Sequence, residues 1–178
     1  AHNNYWHSSE VLKLGYDLIT WTYDPLESVN GYLNIEKLGG VCRTYVENCY
    51  GEMDDLLNSG IPSDRFLVEW CIRNNDNNAL NEIELTEVIQ NSLVRWEDNK
   101  QGLPIPYVKQ LNEEYEINFV AIPKDYRTIR ETDHQLASKW RLTTREIFKQ
   151  LFQSGWTVTG FHKNIQADIP VQFYILTK

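Results

Sequence analysis

A chain of 178 residues, 42% hydrophobic and 24% charged, is that of one globular domain or two small ones, able to bury a core without disulfides or metal. Its net charge of −8, with 17 scattered Lys and Arg, argues against a duplex nucleic-acid binder but leaves room for a local basic pocket. No apolar run approaches the ~20 residues of a membrane span, and AHNNYWHSSE is not an intact signal peptide, so a cytoplasmic protein with no membrane or nucleic-acid partner is expected.

Residues 8–14 read as the last turns of a helix, stopped by Gly15. Tyr16 to Thr22 reads as a strand with apolar residues on both faces, as in the buried centre of a sheet. Asp24-Pro25-Leu26-Glu27 then carries a helix-start signature, with Asp at the N-cap, Pro at the first position and Glu at the third. The helix runs to about Leu38 on a stripe of Leu26, Val29, Leu33 and Tyr32, and Gly39-Gly40 stops it. Residues 41–49 and 65–73 read as strands, the second with Phe66, Val68 and Trp70 on one face and Leu67, Glu69 and Cys71 on the other. Residues 51–63 between them read as a loop or short helix.

The asparagine-rich stretch 73–82 reads as a linker and divides the chain into segments 1–73 and 74–178. Beyond it, 83–95 is open between strand and helix, 101–108 is a Pro-punctuated extended piece, and Tyr115 to Ile122 reads as a strand. Thr132-Asp133-His134-Gln135 is a capping box that opens a long helix, with Leu136, Trp140, Ile147 and Leu151 on one face and Gly155 as its stop. Trp156 to Phe161 and Val171 to Thr177 read as two last strands. The alternation predicts an α/β (α+β) fold with a mixed β-sheet and flanking helices, the second segment packed on the same sheet.

Three cysteines without a C-x-x-C, Cys42 and Cys71 among them in apolar strands, read as reduced thiols, the latter two buried. The four histidines, His2, His7, His134 and His162, have no H-x-x-x-H or H-E-x-x-H spacing, so no metal site is expected. Acidic runs at Glu52, Asp54, Asp55 and at Glu113, Glu114, Glu116 read as solvated surface. Trp21, Trp70, Trp140 and Trp156 read as core, and Trp6 and Trp96 as exposed contact residues. Asp24 sits where ligands bind open sheets, at the carboxyl end of a strand and beside a helix start, but its reading as a plain N-cap competes with that.

The stretch 15–70 resembles the carboxyl-terminal half of a GNAT-superfamily acyltransferase. It is similar to a group with the patterns W-T-[FY]-D-P-L-E-x-x-N, K-L-G, N-x-Y-G and P-[ST]-D-R-x-x-x-E-W. Here these fall at Trp21 to Glu27 with Asn30, Lys37 to Gly39, Asn48 to Gly51 and Pro62 to Trp70. The tail from Ile122 resembles that group's carboxyl-terminal extension. The resemblance implies a GNAT-like fold, truncated at its amino-terminal end, and transfer from acetyl-CoA or another acyl-CoA to a small-molecule amine. It places Thr20, Trp21 and Thr22 at the pantetheine arm, and Ser28 and Asn30 at polar cofactor contacts. Asp24, Arg43, Tyr45, Ser63 and Arg65 become substrate-binding candidates, and Asp64 and Glu69 candidate acceptors of the amine proton.

The chain departs from the family in having no [RQ]-x-x-G-x-[GA] phosphate loop, and Ile35 stands where many of these enzymes place a tyrosine acid. Three expectations stay open: a fragment of an N-acetyltransferase, a truncation that pairs with an amino-terminal half or a second copy, or a non-catalytic binding or assembly module. The strand at Tyr16 to Thr22 would carry an unpaired edge, to be covered by the strand from Tyr115 or by a second subunit. Asp64 and Arg65 are expected to matter for function and little for stability.

Overall fold

In a computed structural model of the chain, residues 17–51, 60–72, 83–109 and 116–178 are described. The readings at 8–15, Tyr16, 52–59, the linker 73–82, His2, His7, Trp6, Glu113, Glu114 and Tyr115 lie outside them. In chain order the elements are β1 (Leu18–Tyr23), α1 (Ser28–Gly31) continuing as a π-helix over Tyr32–Lys37, β2 (Val41–Val46), β3 (Arg65–Cys71), α2 (Leu85–Asn91), β4 (Val94–Asp98), β5 (Pro104–Val108), β6 (Ile117–Pro123), α3 (Tyr126–Thr132), α4 (His134–Gln153), β7 (Thr157–His162) and β8 (Val171–Thr177).

Among the described residues six strands form one sheet in the order β1-β3-β2-β7-β8-β6, and β4 pairs with β5 in a separate hairpin. The fold is α+β. Every described strand pair is antiparallel, and a single parallel bridge joins Ser92 to Phe119. The sheet is therefore antiparallel where a mixed one was expected: consecutive strands join through turns as well as helices, and β3 folds back between β1 and β2. The β2–β7 contact, Cys42 opposite Val158, brings strands from both sides of the asparagine-rich stretch into one sheet.

β1 lies at an edge, not at the centre, and Leu18 is exposed there. The strand from Ile117 takes the opposite edge and does not cover β1. β8 occupies the interior, buried from Val171 to Leu176 because both of its faces are covered. On one face Tyr174 packs against Phe66, Phe148 and Phe161, and its neighbour Phe173 takes the ring of Trp96. Trp96 is thus packed against the core instead of exposed.

α4 follows the expected stripe, with Leu136, Trp140, Ile147 and Leu151 all buried. Its cap is shifted by one residue: Asp133, not Thr132, accepts the Leu136 N–H at 2.9 Å, because Thr132 still belongs to α3. Gly155, at φ +83°, closes the helix in the left-handed region that an L side chain disfavours. α3 carries no strong apolar period and was not anticipated; its start is fixed by Asp125, which accepts both the Thr128 N–H (3.0 Å) and the Thr128 hydroxyl (2.7 Å).

The first helix departs most from its reading. Asp24 accepts the Leu26 N–H at 2.9 Å and its carbonyl accepts the Glu27 N–H at 3.1 Å, so 24–27 is a turn and the helix starts at Ser28. The π-helical stretch then widens each turn, as the bond from Leu38 N–H to Leu33 O shows. The buried positions become Leu26, Gly31 and Ile35, whereas Val29 (68%) and Leu33 (47%) are exposed. Gly31 is needed for the approach: a Cβ there would stand 2.6 Å from the Tyr174 hydroxyl. Cys71 is exposed rather than buried, since it ends β3 opposite Leu18, and Cys42 alone of the pair is buried. His134 is exposed, and His162 packs its ring on Phe173.

Candidate functional site

The register of β1 against β3 builds the site. Tyr23 opposite Phe66 sets the end of β1, and with it Asp24, beside Arg65 at the start of β3. α4 crosses this corner and presents Arg141 and Arg145, one helical turn apart. Arg141 donates to both oxygens of Asp24, at 2.8 and 2.5 Å. Arg145 donates to both oxygens of Asp64, at 2.8 and 2.7 Å. One helix thus clamps the carboxylates of both polar motifs in planar bidentate pairs. Burial opposes the charge on Arg141, but the Asp24 carboxylate outweighs it and holds the guanidinium protonated well above its ordinary range. The bonds to Asp64 do the same for Arg145.

Beside Asp24 opens a polar pocket of about 380 Å³. Thr22, Tyr23, Asp24, Glu27 and Asn30 line it from β1 and the turn into α1; Tyr50, Ile61, Pro62, Ser63 and Arg65 line it from the approach to β3; Arg130 and Arg141 close it from α3 and α4. Glu27 accepts from Arg130 at 3.0 Å through one oxygen, and its other oxygen has no partner among the described residues. Burial, and next the charge of Asp24, raise the carboxyl of Glu27 above its ordinary range, against the pull of Arg130 and Arg141. Arg65 approaches Asp24 at 3.6 Å and lies over the Tyr50 ring at 5.0 Å.

Of the residues singled out in sequence, Thr22, Asp24, Asn30, Ser63 and Arg65 meet in this pocket. The others do not line it. Thr20 is exposed on the edge strand. Trp21 is half-buried, its indole N–H donating to Asn34 at 3.2 Å. Ser28 donates to the Lys124 carbonyl at 2.8 Å, tying α1 to the end of β6. Arg43 and Glu69 form a cross-strand ion pair at 3.1 Å.

Tyr45 packs on Phe66 and Phe148 and donates to Asp64 at 2.8 Å. Burial, and then Asp64, push the Tyr45 hydroxyl well above its ordinary range. Asp64 is fully buried and also accepts the Asn48 N–H at 2.9 Å. Asp64, expected as a proton acceptor, thus lies outside the pocket: both oxygens are taken by Arg145, Tyr45 and the backbone, and no solvent reaches them. Glu69, the other expected acceptor, is held by Arg43 and does not line the pocket.

Glu27, Tyr50, Arg130 and Arg141 are pocket residues that the sequence reading passed over. Glu27 was absorbed by its reading as a helix-start residue. For Arg141 a signal existed: it follows Trp140 on the buried stripe of α4, where a charge needs a partner. Among the described residues no group of three or more His, Cys, Asp and Glu side chains is placed to hold a metal ion, and no helix is long and apolar enough to cross a membrane. Comparison of the chain with protein-family models, with curated proteins and with solved structures returned no match.

Proposed function

We infer that the chain carries the acceptor side of an acyl-CoA-dependent N-acyltransferase site, in line with the GNAT-like motifs. The observation that carries this reading is the meeting of Thr22, Asp24, Asn30, Ser63 and Arg65, drawn from separate motifs, in one polar pocket at the end of β1. The fit to the cofactor is partial. β1 pairs on one side alone among the described residues, so Thr20 to Thr22 offer a strand edge beside the pocket for the amides of a pantetheine arm. No described segment supplies the phosphate loop.

Bound acyl-CoA would supply an activated thioester. The protein's part is to position the amine and to take its proton. With an acyl-CoA bound, Glu27 would take the amine's proton as the C–N bond forms and the C–S bond breaks, and the same proton, handed on from Glu27, would convert the departing thiolate to the thiol. Glu27 is preferred to Asp64 and Glu69 for this role because it lines the pocket with one oxygen that has no partner among the described residues, and burial raises its carboxyl above its ordinary range.

Titration calorimetry with acetyl-CoA and with CoA tests the reading. Saturable micromolar binding is expected. Absence of binding at millimolar ligand contradicts it. The second reading, a non-catalytic binding module, is favoured by the structural engagement of Asp64 and Glu69. It predicts pocket ligands without transfer.

A further inference from the structure

Resting on the acyl-transfer reading, we propose that the acceptor amine carries a carboxylate and that Arg65 recognises it. Among the described residues three arginines and two carboxylates line the pocket, a surplus of one positive charge in a chain whose net charge is −8. That surplus can be located. Arg141 is spent on Asp24, with both carboxylate oxygens engaged. Arg130 donates to Glu27. Arg65 remains: its nearest carboxylate oxygen is 3.6 Å away, beyond hydrogen-bond reach, and its guanidinium carbon lies over the Tyr50 ring, 5.0 Å from its centre. No other hydrogen bond or ion pair engages its side chain among the described residues. Its guanidinium therefore keeps a fork of N–H donors for a ligand.

The chemistry of that ligand follows from charge and shape. A carboxylate is planar and matches the fork with two parallel bonds. Its single charge cancels the surplus. A phosphate dianion would overshoot it and place excess negative charge beside Asp24 and Glu27, which repel it. Thr22, Asn30 and Ser63 add neutral polar groups, and the volume, at the lower end of small-molecule sites, suits a molecule of amino-acid or dipeptide size. Such an acceptor, with its amine neutral, enters as a monoanion; its carboxylate meets Arg65 and its amine proton has Glu27 as destination.

The test uses the whole chain labelled with ¹⁵N. Glycine, alanine, β-alanine, glutamate and alanyl-alanine are each titrated beside the matching carboxamide, and inorganic phosphate is titrated separately. Acetyl transfer from acetyl-CoA to the same panel is followed by thiol release. Carboxylate members are expected to shift the amides of Thr22, Asn30 and Arg65 and to bind at least about tenfold tighter than their carboxamides, as a charged hydrogen-bond pair is worth. Arg65→Met removes the difference, and Arg65→Lys restores only part of it, because an ammonium has no fork.

Equal binding of acid and carboxamide, with thiol released from both, overturns the carboxylate inference and leaves acyl transfer standing. Carboxylate binding that Arg65→Met abolishes, without thiol release, supports the role of Arg65 and overturns acyl transfer. Phosphate binding tighter than every carboxylate, or no shift with any probe, overturns the inference.

Discussion

Asp24 and Asp64 are gripped by the same helix, through arginines one turn apart and with the same forked geometry, yet they end in different surroundings. Asp64 is sealed: Arg145, the Tyr45 hydroxyl and the Asn48 N–H take its oxygens, and the rings of Phe66 and Phe148 close over Tyr45. Asp24 has its carboxylate neutralised on the α4 side but borders a pocket that also holds Glu27 and Arg65. A bidentate Asp–Arg pair is thus no sign of function by itself. What separates the two, among the described residues, is the pocket beside Asp24, where Arg65 reaches no carboxylate within hydrogen-bond distance.

The comparison breaks most visibly through Asp24. Asp24→Ala strands the buried Arg141 guanidinium and is expected to cost about 3–5 kcal/mol in urea unfolding, whereas Asp24→Leu with Arg141→Met should recover much of that. A double variant as unstable as Asp24→Ala would show that the clamp does more than neutralise a charge. Next in size is the packing of α4 on the sheet: Phe148→Ala, which removes a ring in contact with Phe66 and Tyr174, should cost about 3–5 kcal/mol. Gly31→Ala, with its Cβ 2.6 Å from the Tyr174 hydroxyl, should cost about 1–3 kcal/mol by overpacking and displace α1 at the pocket wall. Its amide shifts should reach Asn30.

The smallest effect is at Asp125. Its two bonds from Thr128, backbone first, hold the carboxyl below its ordinary value of 3.8. A lowered pKa contributes stability that is present above that ordinary value and fades as pH falls through the folded value. Asp125→Ala should therefore cost about 1 kcal/mol near neutral pH, and the difference from wild type should shrink below pH 3.8. A cost constant down to the lowest pH would place the effect elsewhere than in the ionised cap.

How much of this was legible in the sequence follows from which forces are local. The stripe of α4 and the strand faces of β3 are set by periodicity, and Phe66, Val68, Trp140 and Ile147 are buried as read. The place of β1 at an edge depends on which strand pairs with it, a nonlocal choice that its apolar composition does not encode. The stripe of Leu26, Val29 and Leu33 failed because a π-helix replaces the 3.6-residue period on which it was drawn. At the site, the polar motifs were visible and their partners were not. Asp24 looked like a cap because a short-range bond to Leu26 N–H does form, but its main partner lies at position 141. Asp64 looked functional for the same reason: nothing near it in sequence announces Arg145.

The division between a sealed and an open corner is tested most directly by measuring the unfolding free energies of Asp64→Asn and Arg65→Met together under identical conditions. The two residues are neighbours in sequence, and a purely functional motif would spare stability at both. The account predicts a loss of about 3 kcal/mol for Asp64→Asn, which breaks a buried pair, and a change within about 0.5 kcal/mol for Arg65→Met, whose ion pair with Asp24 is long, at 3.6 Å. A stable Asp64→Asn beside a strongly destabilised Arg65→Met would contradict it.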